Sequence, residues 1–367
     1  MNFGFTEEQN LLREQVARFM QEACPTTRVR EIMAREDGFD GALWEKAGKL
    51  GWLGLITPEH YGGVGLKWID LTVVLEETAR GLCPLPIASQ ALASAAILRC
   101  GSDKQKADWL PPISSGTAVC TLGLYDDANW ISPDAVTLTG TRSANGVRIS
   151  GTKPFVCDAM AADYFLLAIR FDGGLALAAL SRDQVEVTTQ PTMDRSKPMG
   201  AVALNDIEIG NDYLLPLTDA DLAWLTDLGA VAVTAEMVGA AEATLAMTSG
   251  YAKERLQFGK PIGQYQGVKH RLADCFVDVE SFKSLLYYAA WCVDEAPDEL
   301  PLAISLAKGY ASDAFARIGI DGVGLHGAIG FTAEYDVQLY LKRSKWARPM
   351  YGDSDHHLDR AATLGGL

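Results

Sequence analysis

ERLQFGKPIGQYQ, residues 254–266, separates two long helical patterns in this chain of 367 residues. The preceding residues, 234–256, contain no proline and are rich in Ala, Glu, Met and Leu, which predicts a long helix ending near Gly259 and Pro261. A second long helix is predicted to begin at Gln266, so Arg255 falls in the last turn of the first helix. A purely structural interpretation is available: Arg255 complements the helix dipole, and Phe258 is a core aromatic residue.

Composition and charge limit the classes of function. The hydrophobic fraction of 48% and charged fraction of 22% are ordinary for a soluble globular protein, and the length suits two or three domains. The net charge of −15 argues against nucleic-acid or anionic-membrane partners. An anionic ligand would therefore need locally placed donors.

The sequence also points to a cytoplasmic location. It has no run of about twenty apolar residues, which predicts no membrane span, and an acidic N-terminus unlike a secretory signal. Seven scattered cysteines without a CxxC or CxxH pattern suggest free thiols in a reducing compartment.

Motifs for several common chemistries are missing from the sequence. There is no HExxH, and adjacent His356 and His357 lack metal-ligand spacing, so no metal site is predicted. GxSxG, GxxxxGK[ST] and a strand-linked GxGxxG are absent as well.

The order of secondary-structure patterns is helical, then strand-rich, then helical. Residues 5–23 have helical apolar spacing, with Thr6 as the candidate N-cap and an apolar face of Leu11, Leu12, Val16, Phe19 and Met20. From Thr117 to about Leu215 the sequence is strand-like, and its runs include YFLLAIRF (164–171) and GLALAALS (174–181), each predicted as a strand. Asn145-Gly146 between two β-rich runs predicts a hairpin. We therefore predict an α+β multidomain protein with boundaries at residues 1–112, 113–215 and 216–367.

Four stretches, in this order, carry a resemblance to a known family. They are FTEEQNLLREQVARF (5–19), GWLGLITPEHYGGVGL (51–66), YAKERLQFGKPIGQYQGVKHRLAD (251–274) and GLHGAIGFTAEYDVQLYLKRSKWA (324–347). With them the chain resembles the FAD-dependent acyl-CoA dehydrogenases along its whole length. The resemblance implies a helical N-terminal domain, a β-barrel middle domain and a four-helix-bundle C-terminal domain.

The resemblance assigns cofactor roles to the opening segment. In the family, the arginine at the position of Arg255 binds the FAD pyrophosphate of the neighbouring subunit. Phe258 and Gln266 match positions that pack on or bond the same cofactor, and His326 and Gly327 lie in the loop around its adenosine end. A guanidinium suits a diphosphate, because both support bidentate, charge-assisted hydrogen bonds.

The family's catalytic base has no obvious counterpart. In the family a carboxylate takes the α proton of an acyl-CoA, and the β hydrogen leaves as hydride to the flavin. The usual base is a glutamate after a tyrosine, but here the segment is MYGDSDHHLDR (350–360). Counting back from Arg360 gives Asp353, and counting forward from Phe331 gives Tyr351. Asp353 is either a shorter base or a solvated turn residue.

Other substrate positions also depart from the family pattern. The alternative base position on the preceding helix is Gly229, and the arginine of the thioester pocket corresponds to Ala230. Asp227 matches a position that usually helps to hold CoA, although a carboxylate near a helix N-terminus is equally well explained by the dipole.

The positions around the chain's own flavin are altered as well. GLYDDANW, residues 123–130, replaces an acidic, Gly-Ser-rich flavin loop. Phe155 and Cys157 replace the tryptophan and threonine that flank the flavin ring, and Cys157 is the weaker hydrogen-bonding partner. Gly324 and Ala328 replace a glutamine and a glycine of the adenosine loop.

These departures support two interpretations within the family. In the first, the chain is the degenerate subunit of an α2β2 heterotetramer, acting on a bulky or steroid side-chain acyl group and giving Arg255 and Gln266 to its partner's FAD. In the second, it is a self-sufficient homotetramer with Asp353 as base. Acyl-CoA and an electron-transfer flavoprotein are the expected partners in both. A flavin-free scaffold or a different flavin chemistry remains open.

Overall fold

The computed structural model describes residues 5–127 and 131–366. In these ranges the chain forms eleven α-helices in two groups, before and after a strand-rich segment. They are α1 (Glu7–Ala23), α2 (Thr26–Met33), α3 (Gly41–Lys49), α4 (Trp68–Arg80), α5 (Ile87–Cys100), α6 (Asp103–Ser115), α7 (Asp219–Glu254), α8 (Gln266–Glu295), α9 (Leu300–His326), α10 (Val337–Ala347) and α11 (Ser354–Leu364).

Eight strands of the described residues form two four-stranded sheets. They are β1 (Cys120–Gly123), β2 (Gly140–Arg142), β3 (Gly146–Cys157), β4 (Tyr164–Phe171), β5 (Gly174–Ser181), β6 (Glu186–Gln190), β7 (Met199–Gly210) and β8 (Leu214–Leu217). One sheet has the order β1-β4-β5-β8 and the other β2-β3-β7-β6. Only the β1–β4 pair is parallel among these pairings. The helical, β, helical architecture expected from the sequence is therefore confirmed.

The chain divides into two compact units. The helical unit contains Met1–Val29, Thr72–Cys83 and Ala230–Leu367, and the sheet unit contains Arg30–Leu71 and Pro84–Gly229. Each unit combines segments that are distant in sequence. The boundaries at residues 112 and 215 stay a prediction.

Both sheets of the sheet unit contribute to one apolar core. Alternate residues of β3, β4, β5 and β7 are buried there, as expected when one face of each strand is covered. The strand predictions for β4 and β5 match the observed bounds, and the predicted hairpin joins β2 to β3, with Arg142 paired to Val147. The strand region extends slightly beyond Leu215, to Leu217.

Close backbone approach and buried charge hold the helical unit together. A Cβ atom at Gly239 of α7 would lie 1.9 Å from the carbonyl oxygen of Glu76 on α4, so only glycine permits this contact. Arg13 of α1 donates to Glu76 at 2.9 Å and to Glu77 at 2.8 Å. Burial raises the pKa of Glu76 to about 7, against the opposing effect of Arg13.

The observed N-cap and buried face of the first helix agree with the prediction from its sequence. Thr6 caps α1 through a reciprocal capping box with Gln9, and Val16 and Met20 are buried on its inner face. Leu11, included in the predicted apolar face, is exposed.

Helix α7 has the length and apolar composition of a membrane span. However, 78% of its most apolar 18-residue window is buried inside the protein, as in the core helix of a soluble protein. A cytoplasmic location stays a prediction.

All seven cysteines lie in the described part of the chain, and none of them forms a disulfide. Six are buried, and burial raises the pKa of Cys100 to about 11 and of Cys120 and Cys275 to about 12. Cys157 is the seventh and is half-buried.

Candidate cofactor and substrate site

The opening segment forms a short hairpin after α7. The helix ends at Glu254 rather than near Gly259 and Pro261, so its predicted end is wrong. Leu256–Gln257 (β9) pairs antiparallel with Lys260–Pro261 (β10), and the two residues between them have φ of 52° and 78°. Two successive positive φ values are typical of a type I′ turn, which explains the helix end. We call residues 255–265 the clamp hairpin.

The tip of the clamp hairpin is apolar and exposed. Phe258 is 93% exposed and Leu256 is 61% exposed. The interpretation of Phe258 as a core aromatic residue is therefore wrong. Neighbouring apolar side chains that are both exposed, as Leu256 and Phe258 are, are typical of a surface that another molecule covers.

Arg255 lies at the base of this hairpin. Its backbone N–H donates to the Tyr251 carbonyl at 2.8 Å, and its side chain is exposed. Among the described residues, nothing forms a hydrogen bond or ion pair with its guanidinium. Gln266, which begins α8 as predicted, is also exposed. Both side chains are available to an external ligand.

His326 and Gly327 end α9 close to the same helix. The His326 ring is 3% exposed and lies 4.4 Å from the Tyr251 ring and 4.9 Å from the Tyr335 ring, between centroids. Its Nδ1 donates to the Gly322 carbonyl at 2.7 Å, and burial lowers the pKa of the imidazole. The neutral ring therefore presents Nε2 as an acceptor, and that buried atom has no partner within residues 5–127 and 131–366.

The backbone beside His326 is unobstructed. Gly327 has φ of 66°, and a Cβ atom at Gly327 or at Gly324 would meet no atom within 4 Å. Tyr251 connects this backbone to the clamp hairpin, because its carbonyl accepts from Arg255 and its ring contacts His326. Arg255 and His326 thus form one cluster through their shared contacts with Tyr251, and Gly327 directly follows His326.

These features fit a phosphate-bearing cofactor such as FAD. The cluster supplies an unpaired guanidinium, an orphaned buried acceptor and backbone that a ligand can approach closely. Arg255 would hold the phosphates, and Nε2 of His326 would accept from a donor group of the cofactor.

The turn between α10 and α11, residues 348–353, contains the base candidates. Asp353 is the N-cap of α11, and its Oδ1 accepts from the His356 N–H at 3.0 Å. Tyr351 has φ of 54° and Gly352 has φ of 101°. The cap explains Asp353 as a structural residue, and its role as base stays a prediction.

Sequence reasoning missed Lys308, which contacts this turn from α9. The side chain is fully buried and donates to the carbonyls of Arg348 at 2.9 Å and Gly352 at 2.7 Å. A lysine inside the apolar run LAISLAKGYASDAFA was the available signal, since buried lysines are rare unless they are paired.

In the sheet unit, Phe155 and Cys157 lie near the end of β3. Phe155 is 43% exposed, has φ of 57° and donates its N–H to Gln190 Oε1 at 2.7 Å, in a region where the β3–β7 register shifts. This bulge turns an aromatic ring outward from the sheet. The Cys157 carbonyl accepts from the Thr121 hydroxyl at 2.7 Å, so its backbone is fixed.

The segment that replaces the predicted flavin loop is held by buried contacts of Asp126, in the part that the structure describes. Asp126 pairs with fully buried Lys153 at 2.8 Å and accepts from the N–H groups of Thr137 and Leu138. Burial lowers the pKa of Lys153 to about 8, although Asp126 opposes that shift. Residues 128–130 of the predicted loop lie outside the described residues.

Asp227 is a buried carboxylate beyond the first turn of α7. It is 3% exposed and lies eight residues after the first residue of α7, Asp219. The dipole acts only within about the first turn, so the helix-terminus explanation for Asp227 is wrong. Its role toward CoA stays a prediction.

Comparison with known proteins agrees with this architecture. Residues 6–117 match the model of the acyl-CoA dehydrogenase N-terminal domain, and residues 223–363 match that of the C-terminal domain. The chain belongs to the acyl-CoA dehydrogenase family. These enzymes are FAD-dependent flavoproteins, so the cofactor expected from the resemblance is that of the family.

Relatives match over nearly the whole chain. Acyl-CoA dehydrogenase IpdE2 of Mycolicibacterium smegmatis is 30% identical and covers 97% of this chain and 98% of its own. Acyl-CoA dehydrogenase FadE27 of Mycobacterium tuberculosis is also 30% identical, with 98% and 97% covered.

Two solved structures are similar as well. A chain of the ChsE4-ChsE5 complex from Mycobacterium tuberculosis aligns with a TM-score of 0.92 at 28% identity, covering 100% of this chain and 99% of that one. The Tcur3481-Tcur3483 steroid acyl-CoA dehydrogenase aligns with a TM-score of 0.88 at 28% identity, with 98% of both covered.

Proposed function

We propose that this chain is a subunit of a heteromeric, FAD-dependent acyl-CoA dehydrogenase and completes an FAD site held largely by a homologous partner. The observation that carries the proposal is the unpaired, exposed guanidinium of Arg255 together with the orphaned acceptor of His326, two residues that both contact Tyr251. The protein has a net charge of −15, so such local donors are needed to hold an anionic cofactor.

The residues around the expected catalytic base favour a non-catalytic, supporting subunit. No glutamate is present between residues 350 and 360, and the Asp353 carboxylate accepts from a backbone N–H as a helix cap. A base must instead present a free carboxylate beside the substrate. The ring of Phe258 supports a site completed across an interface, since it is almost wholly exposed and is not packed in the core of its own chain.

When bound, FAD accepts the hydride that leaves the β carbon of the acyl thioester. In this assignment Arg255 neutralises pyrophosphate charge, Gln266 bonds the cofactor from the start of α8, and Phe258 excludes water at the hairpin tip. The α proton is taken by a carboxylate of the partner subunit.

The substrate we propose is a CoA thioester with a bulky, steroid-derived acyl group. One similar structure is a steroid acyl-CoA dehydrogenase and another is a complex of two different chains, which supports both the substrate class and the heteromeric assembly. An electron-transfer flavoprotein would remove electrons from the reduced cofactor, because desaturation leaves two electrons on FAD at each turnover.

The test is the visible absorption spectrum of the purified chain, alone and co-expressed with a homologous acyl-CoA dehydrogenase chain encoded beside it. We expect flavin bands only in the complex. Flavin bands and desaturase activity in the lone chain would overturn the proposal and favour a self-sufficient enzyme with Asp353 as base. A complex that forms without flavin would instead indicate a scaffold.

A further inference from the structure

A cavity of about 500 Å³ lies within the sheet unit. Residues of α6 bound it on one side, and residues of β4, β5 and β7 bound it on the other. It includes none of the residues to which a role toward FAD or acyl-CoA was assigned. Its volume lies within the range of small-molecule sites in proteins, so the chemistry of its walls indicates what it can bind.

Two aromatic rings form one wall of this cavity. The ring of Trp109 on α6 stacks on that of Tyr213, with the centroids 6.3 Å apart and 18° between the planes. Tyr213 is 53% exposed, and Tyr164, which lines the cavity from the start of β4, is 49% exposed. Aromatic surface is therefore available to a ligand.

The amide of Gln105 holds this wall in place. Gln105 is buried, and its Nε2 donates to the carbonyls of Asp212 at 2.9 Å and Leu214 at 3.1 Å. Its Oε1 accepts from the Ser102 N–H at 2.8 Å, so both ends of the amide are bonded. Because the two carbonyls flank Tyr213, α6 fixes the backbone on both sides of that ring.

Three carboxylates also line the cavity. They belong to Asp108 of α6, Glu208 of β7 and Asp183, which follows β5. The Glu208 carboxylate is balanced by Arg148, whose guanidinium lies 3.3 Å from it. Asp108 and Asp183 form no ion pair among the described residues, and the Ser181 hydroxyl donates to Asp183. The cavity therefore carries an excess of negative charge.

No basic side chain lines this cavity in the part of the chain that the structure describes. A second cavity shares Asp108, Trp109 and Tyr213 with it and includes Lys104. The Lys104 ammonium pairs there with Asp212 at 3.3 Å, so its charge is already balanced. The first cavity is thus the one that suits a cation.

We propose that the first cavity binds a small organic cation, in which an ammonium group is carried on an apolar body. The carboxylates of Asp108 and Asp183 complement its charge, and the ring of Tyr213 attracts an ammonium through its quadrupole. Pro112 and Ile113, which line the same cavity, offer apolar contact to the body of the ligand. The net charge of −15 favours the approach of a cation as well.

The experiment is titration of the purified full chain with 4-phenylbutylamine and, separately, with 4-phenylbutan-1-ol, followed by saturation-transfer NMR of the ligand at neutral pH. The two molecules have the same apolar body and differ only in carrying an ammonium or a hydroxyl group. We expect the amine to bind about tenfold more tightly. Equal affinities, or no binding of the amine at millimolar concentration, would overturn the proposal.

Three substitutions locate the bound amine. Asp108→Asn removes a carboxylate and Tyr213→Leu removes a ring, so each should weaken amine binding about threefold, and the two together about tenfold. Asp103→Asn removes an equal charge from the first turn of α6, outside the cavity, and should leave the affinity unchanged. An equal loss in Asp103→Asn, or no loss in the other two variants, would also overturn the proposal.

The comparison of the two ligands on the unaltered chain decides the matter even if a variant fails to fold. The inference does not rest on the proposed function, because the titration detects neither flavin nor turnover. Failure of the amine to bind would leave the proposed FAD site untouched, and a colourless complex would leave the cation site unchanged.

Discussion

The clamp hairpin and the turn 348–353 both belong to the helical unit, and both contain residues for which a functional role was predicted, yet their surroundings are opposite. At the hairpin, Phe258 is almost wholly exposed and the Arg255 guanidinium is unpaired within the described residues. At the turn, buried side chains bond the carbonyls of Arg348, Tyr351 and Gly352. The hairpin has the features of a surface completed by another molecule, whereas the turn is completed by its own chain.

Two glycines with positive φ give the strongest test of this difference. A Cβ at Gly352 would lie 2.7 Å from the His357 ring, whereas one at Gly259 in the hairpin would meet nothing within 4 Å. We expect Gly352→Ala to lower the free energy of unfolding by about 2–4 kcal/mol, from strain plus overpacking. Gly259→Ala should cost about 1 kcal/mol, from strain alone. Equal losses in chemical denaturation would contradict the contrast.

Arg255→Ala tests whether the hairpin acts on an external ligand. In the assembled complex, loss of charge-assisted bonds to FAD should weaken cofactor affinity by about tenfold to a hundredfold, measured by flavin release during dialysis and titration. The melting temperature of the lone chain should not change. Lys253→Ala, which removes an equal charge from the end of α7, is the matched control, and a similar loss of FAD there would mean that only general charge matters.

Substitutions of Asp353 test whether the turn 348–353 has a structural rather than a catalytic role. Asp353→Ala removes the N-cap of α11 and should cost about 1 kcal/mol of stability without loss of FAD from the complex. Asp353→Asn retains the cap and removes the carboxylate, so it should recover most of that stability. If Asp353→Asn folds normally but abolishes turnover in the complex, this residue is the base and our assignment of a supporting subunit is wrong.

Phe258→Ser should have the smallest effect on stability. A ring that is 93% exposed contributes little to the fold, so we expect the unfolding free energy of the lone chain to change by less than about 0.5 kcal/mol. Association with the partner should weaken, as measured by sedimentation of the complex. Marked destabilisation of the lone chain would show instead that Phe258 contributes to the core.

The fold could be predicted from the sequence where local patterns were unambiguous. Strands β4 and β5 alternate or run apolar between turn residues, and they were predicted with their observed bounds. The end of α7 was placed too late, because the residues before the hairpin have high helix propensity and the type I′ turn at Phe258 and Gly259 overrides it.

The site was harder to predict than the fold, because its features depend on contacts between distant segments. Nothing local to Lys308 indicates that it reaches Arg348 and Gly352, which lie 40 and 44 positions away. Likewise, the burial of Asp227 inside α7 and the contact of Tyr251 with His326 exist only in the packed chain. Alignment to a family indicates candidate residues, but not which of them are already bonded by the chain itself.

Because only one cysteine is partly accessible, the native protein can be labelled selectively at a single thiol. Six cysteines are buried, and the pKa values of Cys100, Cys120, Cys275 and Cys292 are raised, so few of these groups ionise near neutral pH. Cys157 is the partly accessible one, at the end of the strand that carries Phe155. A fluorophore or spin label attached there would report on the end of β3 in the unmutated chain.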